Sequence, residues 1–204
     1  SELRISDGTY FALTAPIYQA LSSYDFDGAK IAAARIFDGL LSVPALERAR
    51  AELERSIANL QALHDHPGQV IPHPDLFEGH RYALILQPMN WHEANHFAQR
   101  QGAQLAAATS EAENKWLMQT YAIPMLGRSL WLGGTDEGSE SYWRWISGEG
   151  WRYENWGRPE PNNEHGVEHA LAMRPDGWWM DADGYSLRLP FVLEWTGTEA
   201  PHTP

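Results

Sequence analysis

Apolar positions repeat with a helical period through the first third of the chain and with a strand-like period through much of the rest. Over ALERARAELERSIANLQAL (45–63), Leu46, Leu53, Ile57, Leu60 and Leu63 fall on one face at helical spacing, and Pro44 suits the first turn. Upstream, Asp25 and Asp27 are candidate caps for a helix over GAKIAAARIFDGLL (28–41). The heptad in the longer segment is imperfect, with Ala49 and Ser56 at seam positions, so a docked amphipathic helix is favoured over an oligomerising stalk, which stays open. DHPGQVIPHPD (65–75) concentrates Pro and Gly as a linker does. Beyond it, RYALILQ predicts a strand. MNWHEANHFAQRQGAQL predicts a helix burying Trp91, Ala94, Phe97 and Ala98, and TSEAENKWLMQTY a second, capped by Ser or Thr. From Leu130 to Trp195, short strands alternate with Gly, Asn and Pro. The layout is α+β: a helical segment (1–75), a domain of two helices, small antiparallel sheets and a long irregular loop (76–197), and a tail (198–204).

Composition changes this picture in three ways. Hydrophobic content of 43% and charged content of 21% are those of a globular chain, whereas ten tryptophans imply a loop-rich domain held by aromatic packing. A net charge of −12 argues against nucleic acid or anionic membrane as partner and suits carboxylate chemistry toward cations. The absence of cysteine excludes disulfides and thiolate chemistry without assigning a compartment. No apolar run is long enough to span a membrane and no signal peptide is visible. The chain opens on SELRISDG without Met and closes on TGTEAPHTP, as expected of a trimmed chain, which leaves room for a removed signal or anchor.

The densest chemistry lies in RPEPNNEHGVEHALAMRPDGWWMDADG (158–184), where Glu160, Asn162, Glu168 and Asp181 offer hard oxygen ligands and Met180 interrupts them with a soft thioether. Together with GHRYALI, the Trp91–Ala94–Phe97 helix followed by Gly102 and Leu105, SEAEN, WLGGTD, Trp143, Trp145, ENWGRPEPNN, WMD and PFVLEW, this order resembles the C-type lectin-like domain over roughly residues 78–195. The resemblance implies that fold, and a binding module rather than an enzyme. It implies a main calcium site from Glu160, Asn162, Glu168 and Asp181, with a cis peptide before Pro161. The Glu160-Pro161-Asn162 form is associated with mannose-type sugars, whose vicinal hydroxyls enter the calcium shell. Met180 stands where the family has an Asn, removing one ion ligand and one sugar donor. An auxiliary calcium site is implied at Asp136, Glu140, Asn163 and Glu168. The family's two disulfides would fall at Ala98 with Leu193 and at Ala170 with Gly184, so both bridges are lost as units, a pattern similar to bacterial or phage members.

Other readings compete with these. Glu160, Asn162, Glu168 and Asp181 also suit plain loop hydrogen bonding, and DEGSE a solvated turn. Trp131, Trp143, Trp145 and Trp156 are expected in the core. Trp178 is either a stacking platform for a sugar or a packed residue, and His165 and His169 are expected on an exposed loop. WHEANHF (91–97) spells a zinc-hydrolase pattern with His92, Glu93 and His96, as HGVEH (165–169) does in reverse. The first pair is expected on the outer side of the helix, away from any cleft, and a zinc hydrolase is a remote alternative. Partners are therefore carbohydrate, with calcium as cofactor, or a protein surface bound by the same fold. Self-association through the N-terminal helices is a further option.

Overall fold

In the computed structural model, described for residues 7–38, 44–66, 72–122 and 128–197, three helices precede a mixed α+β domain. They are α1 (Asp7–Ser22), α2 (Phe26–Asp38) and α3 (Pro44–Asp65). Asp25 caps α2, its Oδ1 accepting the Gly28 N–H at 2.9 Å, while Asp27 lies inside the first turn. Pro44 opens α3, where its missing N–H costs no hydrogen bond. Leu53, Ile57, Leu60 and Leu63 are buried, against α2 and the first long strand of the domain. The α3 face that a stalk would expose is thus covered within the chain. The side chain of Leu46 and the tail 198–204 lie outside the described residues.

Eight strands form one sheet: β1 (Asp75–Phe77), β2 (His80–Met89), β3 (Gln104–Leu105), β4 (Leu130–Thr135), β5 (Arg144–Trp145), β6 (Ala170–Met173), β7 (Trp179–Ala182) and β8 (Leu189–Trp195). The main path runs β1-β2-β8-β4-β6-β7, with β3 on β8 and β5 on β4. All pairings are antiparallel except the contact of β4 with β8, where Trp131 faces Phe191. Two helices flank it, α4 (Trp91–Arg100) and α5 (Glu111–Leu117). Asn90 and Glu93 close a capping box on α4, and Ser110 caps α5 by accepting the Glu113 N–H. As the pattern predicts, α4 buries Trp91, Ala94, Phe97 and Ala98.

The aromatic core accounts for the tryptophan content. Trp131, Trp145 and Trp179 are fully buried, and Trp143, Trp151, Trp156 and Tyr153 pack around Trp145 and Trp179 with ring centroids 4.6–6.3 Å apart. The Trp179 indole N–H reaches Asn114 Oδ1 at 2.7 Å and that of Trp91 reaches the Leu132 carbonyl at 2.8 Å, so these rings are oriented as well as buried. Ala98 and Leu193 are fully buried, and an ideal Cβ on Gly184 would stand 3.0 Å from that of Ala170. The second expected bridge position is therefore a true spatial pair, closed here by small side chains.

Gly133 of WLGGTD has a steric reason. A Cβ there would meet the Leu105 carbonyl oxygen at 2.6 Å, a backbone atom that cannot rotate away. Gly133→Ala is expected to push β3 from β4 and cost about 2 kcal/mol, the range of overpacked cores. Chemical denaturation against the parent measures it.

Candidate functional site

The loop leading into β6 is tied to β7 by one carboxylate. Asp181, 4% exposed, accepts the Asn162 N–H on Oδ1 at 3.0 Å and the Asn163 N–H on Oδ2 at 2.7 Å. The Arg158–Pro159 and Glu160–Pro161 peptides are both cis, the second as the sequence implies. The Asn162 amide donates to the Glu160 carboxylate, which also lies within hydrogen-bonding reach of Asp181. Burial, followed by the hydrogen bond and charge of Asp181, pushes the Glu160 carboxyl above its ordinary value; the Asn162 amide pulls the other way. Glu168 is likewise raised, first by burial, with the charges of Asp181 and Glu164 adding to it and the Glu164 N–H opposing.

Crowded carboxyls that resist ionisation are what a hard cation relieves. Every donor here is a carboxylate or amide oxygen, and an oxygen that accepts one N–H keeps a second lone pair. Glu160, Asn162 and Asp181 therefore fit calcium as a donor set, with Glu168 at the margin. The Glu168 carboxylate takes the Glu164 N–H at 2.8 Å, and its oxygens do not share a 4.8 Å sphere with those of Glu160 and Asp181 among the described residues. Met180 contributes nothing to the donor set, since its half-buried side chain packs against the core and ends in a soft thioether rather than an oxygen. Trp178 is 47% exposed and sits at the turn before β7, the strand that carries Asp181.

The expected auxiliary set assembles differently. Asp136, Glu140 and Asn163 do converge: the Asn163 amide donates to Glu140 Oε2 at 2.7 Å, and the Ser141 N–H to Asp136 Oδ2 at 2.8 Å. Asn163 Oδ1 accepts the Glu168 N–H at 3.0 Å, so Glu168 joins through its backbone rather than its carboxylate. The residue that completes the group is His169, whose Nδ1 stands 3.0 Å from Asp136 Oδ1 and 3.6 Å from Glu140 Oε2. His169 is thus half-buried, with Nδ1 turned onto the two acids, rather than an exposed loop residue, because the Thr135 hydroxyl holds its carbonyl at 2.6 Å where β6 begins. His165 is exposed, as expected.

Neither zinc-hydrolase pattern builds a catalytic site. Glu93 closes the helix cap and pairs with Arg188 at 2.8 Å, and His96 is exposed. His92 packs its ring against that of Tyr185 at a tilt and lines a small cavity with Glu137 and His169, which corrects its placement away from any cleft.

A buried acid in PFVLEW passed unnoticed in the sequence because its neighbours read as a plain core strand. Glu194, fully buried, accepts the Ala107 N–H at 3.0 Å and stands 2.5 Å from His80 Nδ1; the Tyr82 hydroxyl bridges toward Glu113 at 2.7 Å.

This architecture, a mixed sheet whose long loop is pinned by Asp181 on the hairpin of β6 and β7 at one edge, defines a binding domain built around an irregular loop. The "Lectin C-type domain" family matches residues 87–192, and the chain belongs to that family. It is 32% identical over 141 residues to human C-type lectin domain family 17, member A, a match covering 69% of this chain and 36% of that protein. The chain thus spans about a third of that relative's length. Among solved structures, the cow CD23 carbohydrate-recognition domain, studied with a GlcNAc2Man3 oligosaccharide, superposes with a TM-score of 0.59 at 22% identity, covering 65% of this chain and 99% of that one. A calcium-independent type II antifreeze protein superposes with a TM-score of 0.55 at 19% identity, covering 64% and 98%. At these identities both show the fold alone. The relatives are lectins, binding proteins and not enzymes. They include human, mouse and chicken proteins, which lend no support to the expected likeness to bacterial or phage members. Among the described residues no helix is long and apolar enough to cross a membrane.

Proposed function

We propose that the loop carrying Glu160, Asn162 and Asp181 binds carbohydrate of the mannose type through calcium, with reduced strength because Met180 withholds a ligand. The observation that carries this reading is the clustering of Glu160, Asn162 and Asp181, hard-donor residues, around a Glu160 carboxyl that resists ionisation. Glu160, Asn162 and Asp181 would hold the ion, with the Glu168 carboxylate turned inward from the Glu164 N–H. Bound calcium supplies open coordination positions for two vicinal hydroxyls. The Glu160 carboxylate and Asn162 amide then orient those hydroxyls by hydrogen bonds. The kinship with lectins supports the class of ligand.

A second reading, a protein-binding scaffold without calcium, draws on one observation. Asp181 already fastens the loop through two backbone N–H groups, so its shape does not require an ion.

Thermal melting with calcium and then with chelator separates the two. A melting temperature that rises with calcium and returns on chelation is expected; no shift sinks the calcium reading. A glycan array with mannose, fucose and galactose ligands follows. Met180→Asn is expected to strengthen mannose binding while losing about 1 kcal/mol of packing. Unchanged sugar binding in that variant would mean that Met180 is not the defect.

A further inference from the structure

The ligand chemistry around His169 differs from that of the neighbouring loop acids. Calcium takes six to eight oxygens, and a nitrogen ligand is foreign to it; imidazole suits zinc, copper and nickel. Here one imidazole nitrogen and two carboxylate oxygens, those of Asp136, Glu140 and His169, all lie within 4.8 Å of one another. Zinc bonds of about 2.0–2.2 Å at tetrahedral angles place neighbouring ligand atoms about 3.3–3.5 Å apart. The separations from His169 Nδ1, 3.0 Å to Asp136 and 3.6 Å to Glu140, bracket that spacing.

The three ligands are also held from behind. The Ser141 N–H fixes Asp136 through its far oxygen, the Asn163 amide holds Glu140 on the Oε2 that faces His169 and leaves that oxygen a second lone pair, and the Thr135 hydroxyl fixes the backbone of His169. Such outer contacts orient first ligands in metal sites. Two carboxylates and a neutral imidazole carry a charge of −2 that one divalent ion neutralises. The imidazole also lines the cavity shared with His92, Glu137 and Tyr185, which leaves a side of the group open to a water as fourth ligand.

We infer that Asp136, Glu140 and His169 form a site for a borderline divalent transition metal of the zinc class, in place of a second calcium. It joins the end of β4 to the start of β6, so an ion there clamps the base of the sugar loop. The inference does not depend on the proposed sugar site, which uses Glu160, Asn162 and Asp181.

Calorimetric titration of the chelator-stripped full chain with zinc tests it. One saturable site is expected, with cobalt(II) at the same stoichiometry giving the visible absorption of an ion with nitrogen and oxygen ligands. His169→Ala is expected to lose at least tenfold in zinc affinity while keeping the parent's response to calcium at Asp181. Glu140→Gln, exposed and safe for folding, is expected to lose affinity as well, and His92→Ala to leave it unchanged. His169→Asp should trade zinc affinity for calcium affinity. Absence of saturable zinc binding overturns the inference. So does zinc affinity that survives both His169→Ala and Glu140→Gln, or that falls in His92→Ala alone. Zinc binding without any calcium response would uphold this site and sink the sugar reading; the reverse outcome would do the opposite.

Discussion

Asp181→Ala is expected to destabilise the domain by about 3 kcal/mol and to abolish any response to calcium. The substitution strands two backbone N–H groups, those of Asn162 and Asn163, that now share one nearly buried carboxylate. A hydrogen bond to a charged acceptor contributes about 1.5–3 kcal/mol, so two would cost up to about 6. Part is recovered, because removing the Asp181 charge relieves its repulsion of Glu160 and because the exposed loop lets water reach the freed donors. A loss of about 3 kcal/mol lowers the melting temperature by about 6–12 °C in a chain of this size. Asp181→Asn separates the two roles: it keeps one acceptor oxygen and should fall between parent and alanine in stability, yet lose calcium as fully. Denaturant melts with and without calcium report both. An alanine variant as stable as the parent would show that the loop is held elsewhere.

The second large effect concerns acidity. The Glu194 carboxyl is pushed up to about 7, first by burial and then by the charges of Glu149 and Glu113, against the pull of the Ala107 N–H and His80. A carboxyl raised above its unfolded value of about 4.5 holds its proton more tightly in the folded state. Its contribution to stability is therefore complete below about pH 4.5 and is lost as pH rises through about 7, a change of about 3 kcal/mol. Glu160 and Glu168 lean the same way, so the calcium-free protein should gain stability as pH falls from 8 toward 4.5. Glu194→Gln resembles the protonated form and should remove most of that slope, read from urea midpoints across the window. An undiminished slope in the variant would clear Glu194 of the effect.

The sequence exposed the fold through residues whose role is local and periodic. Trp91, Ala94 and Phe97 bury one helical face whatever surrounds them, and Ser110 caps a helix through its own hydroxyl. The candidate site was legible through the resemblance: Glu160, Asn162 and Asp181 meet as it implies, the first two in one loop and the third on β7. Glu168 did not follow, because a nearby backbone N–H competes for its carboxylate. His169 was hidden for the opposite reason. Its partner Asp136 lies 33 residues away, and only the antiparallel pairing of β4 with β6 sets Thr135 opposite Ala170 and draws the imidazole onto that acid. Glu194 looked like one polar position in an apolar strand, and nothing local to PFVLEW announces His80, Tyr82 or Glu113.

The pairing of β2 with β8 has a consequence for how the chain reaches this state. Ile85 finds its partner in Phe191, so the strand that opens the lectin domain waits for the one that closes it. Contacts of such sequence separation slow folding, and an apolar strand without its partner is exposed to aggregation in the interval. On a ribosome, β2 emerges long before β8, but after α1 and α3, both of which pack on it in the finished protein. The helical segment is thus in place to cover one side of β2 before β8 is made.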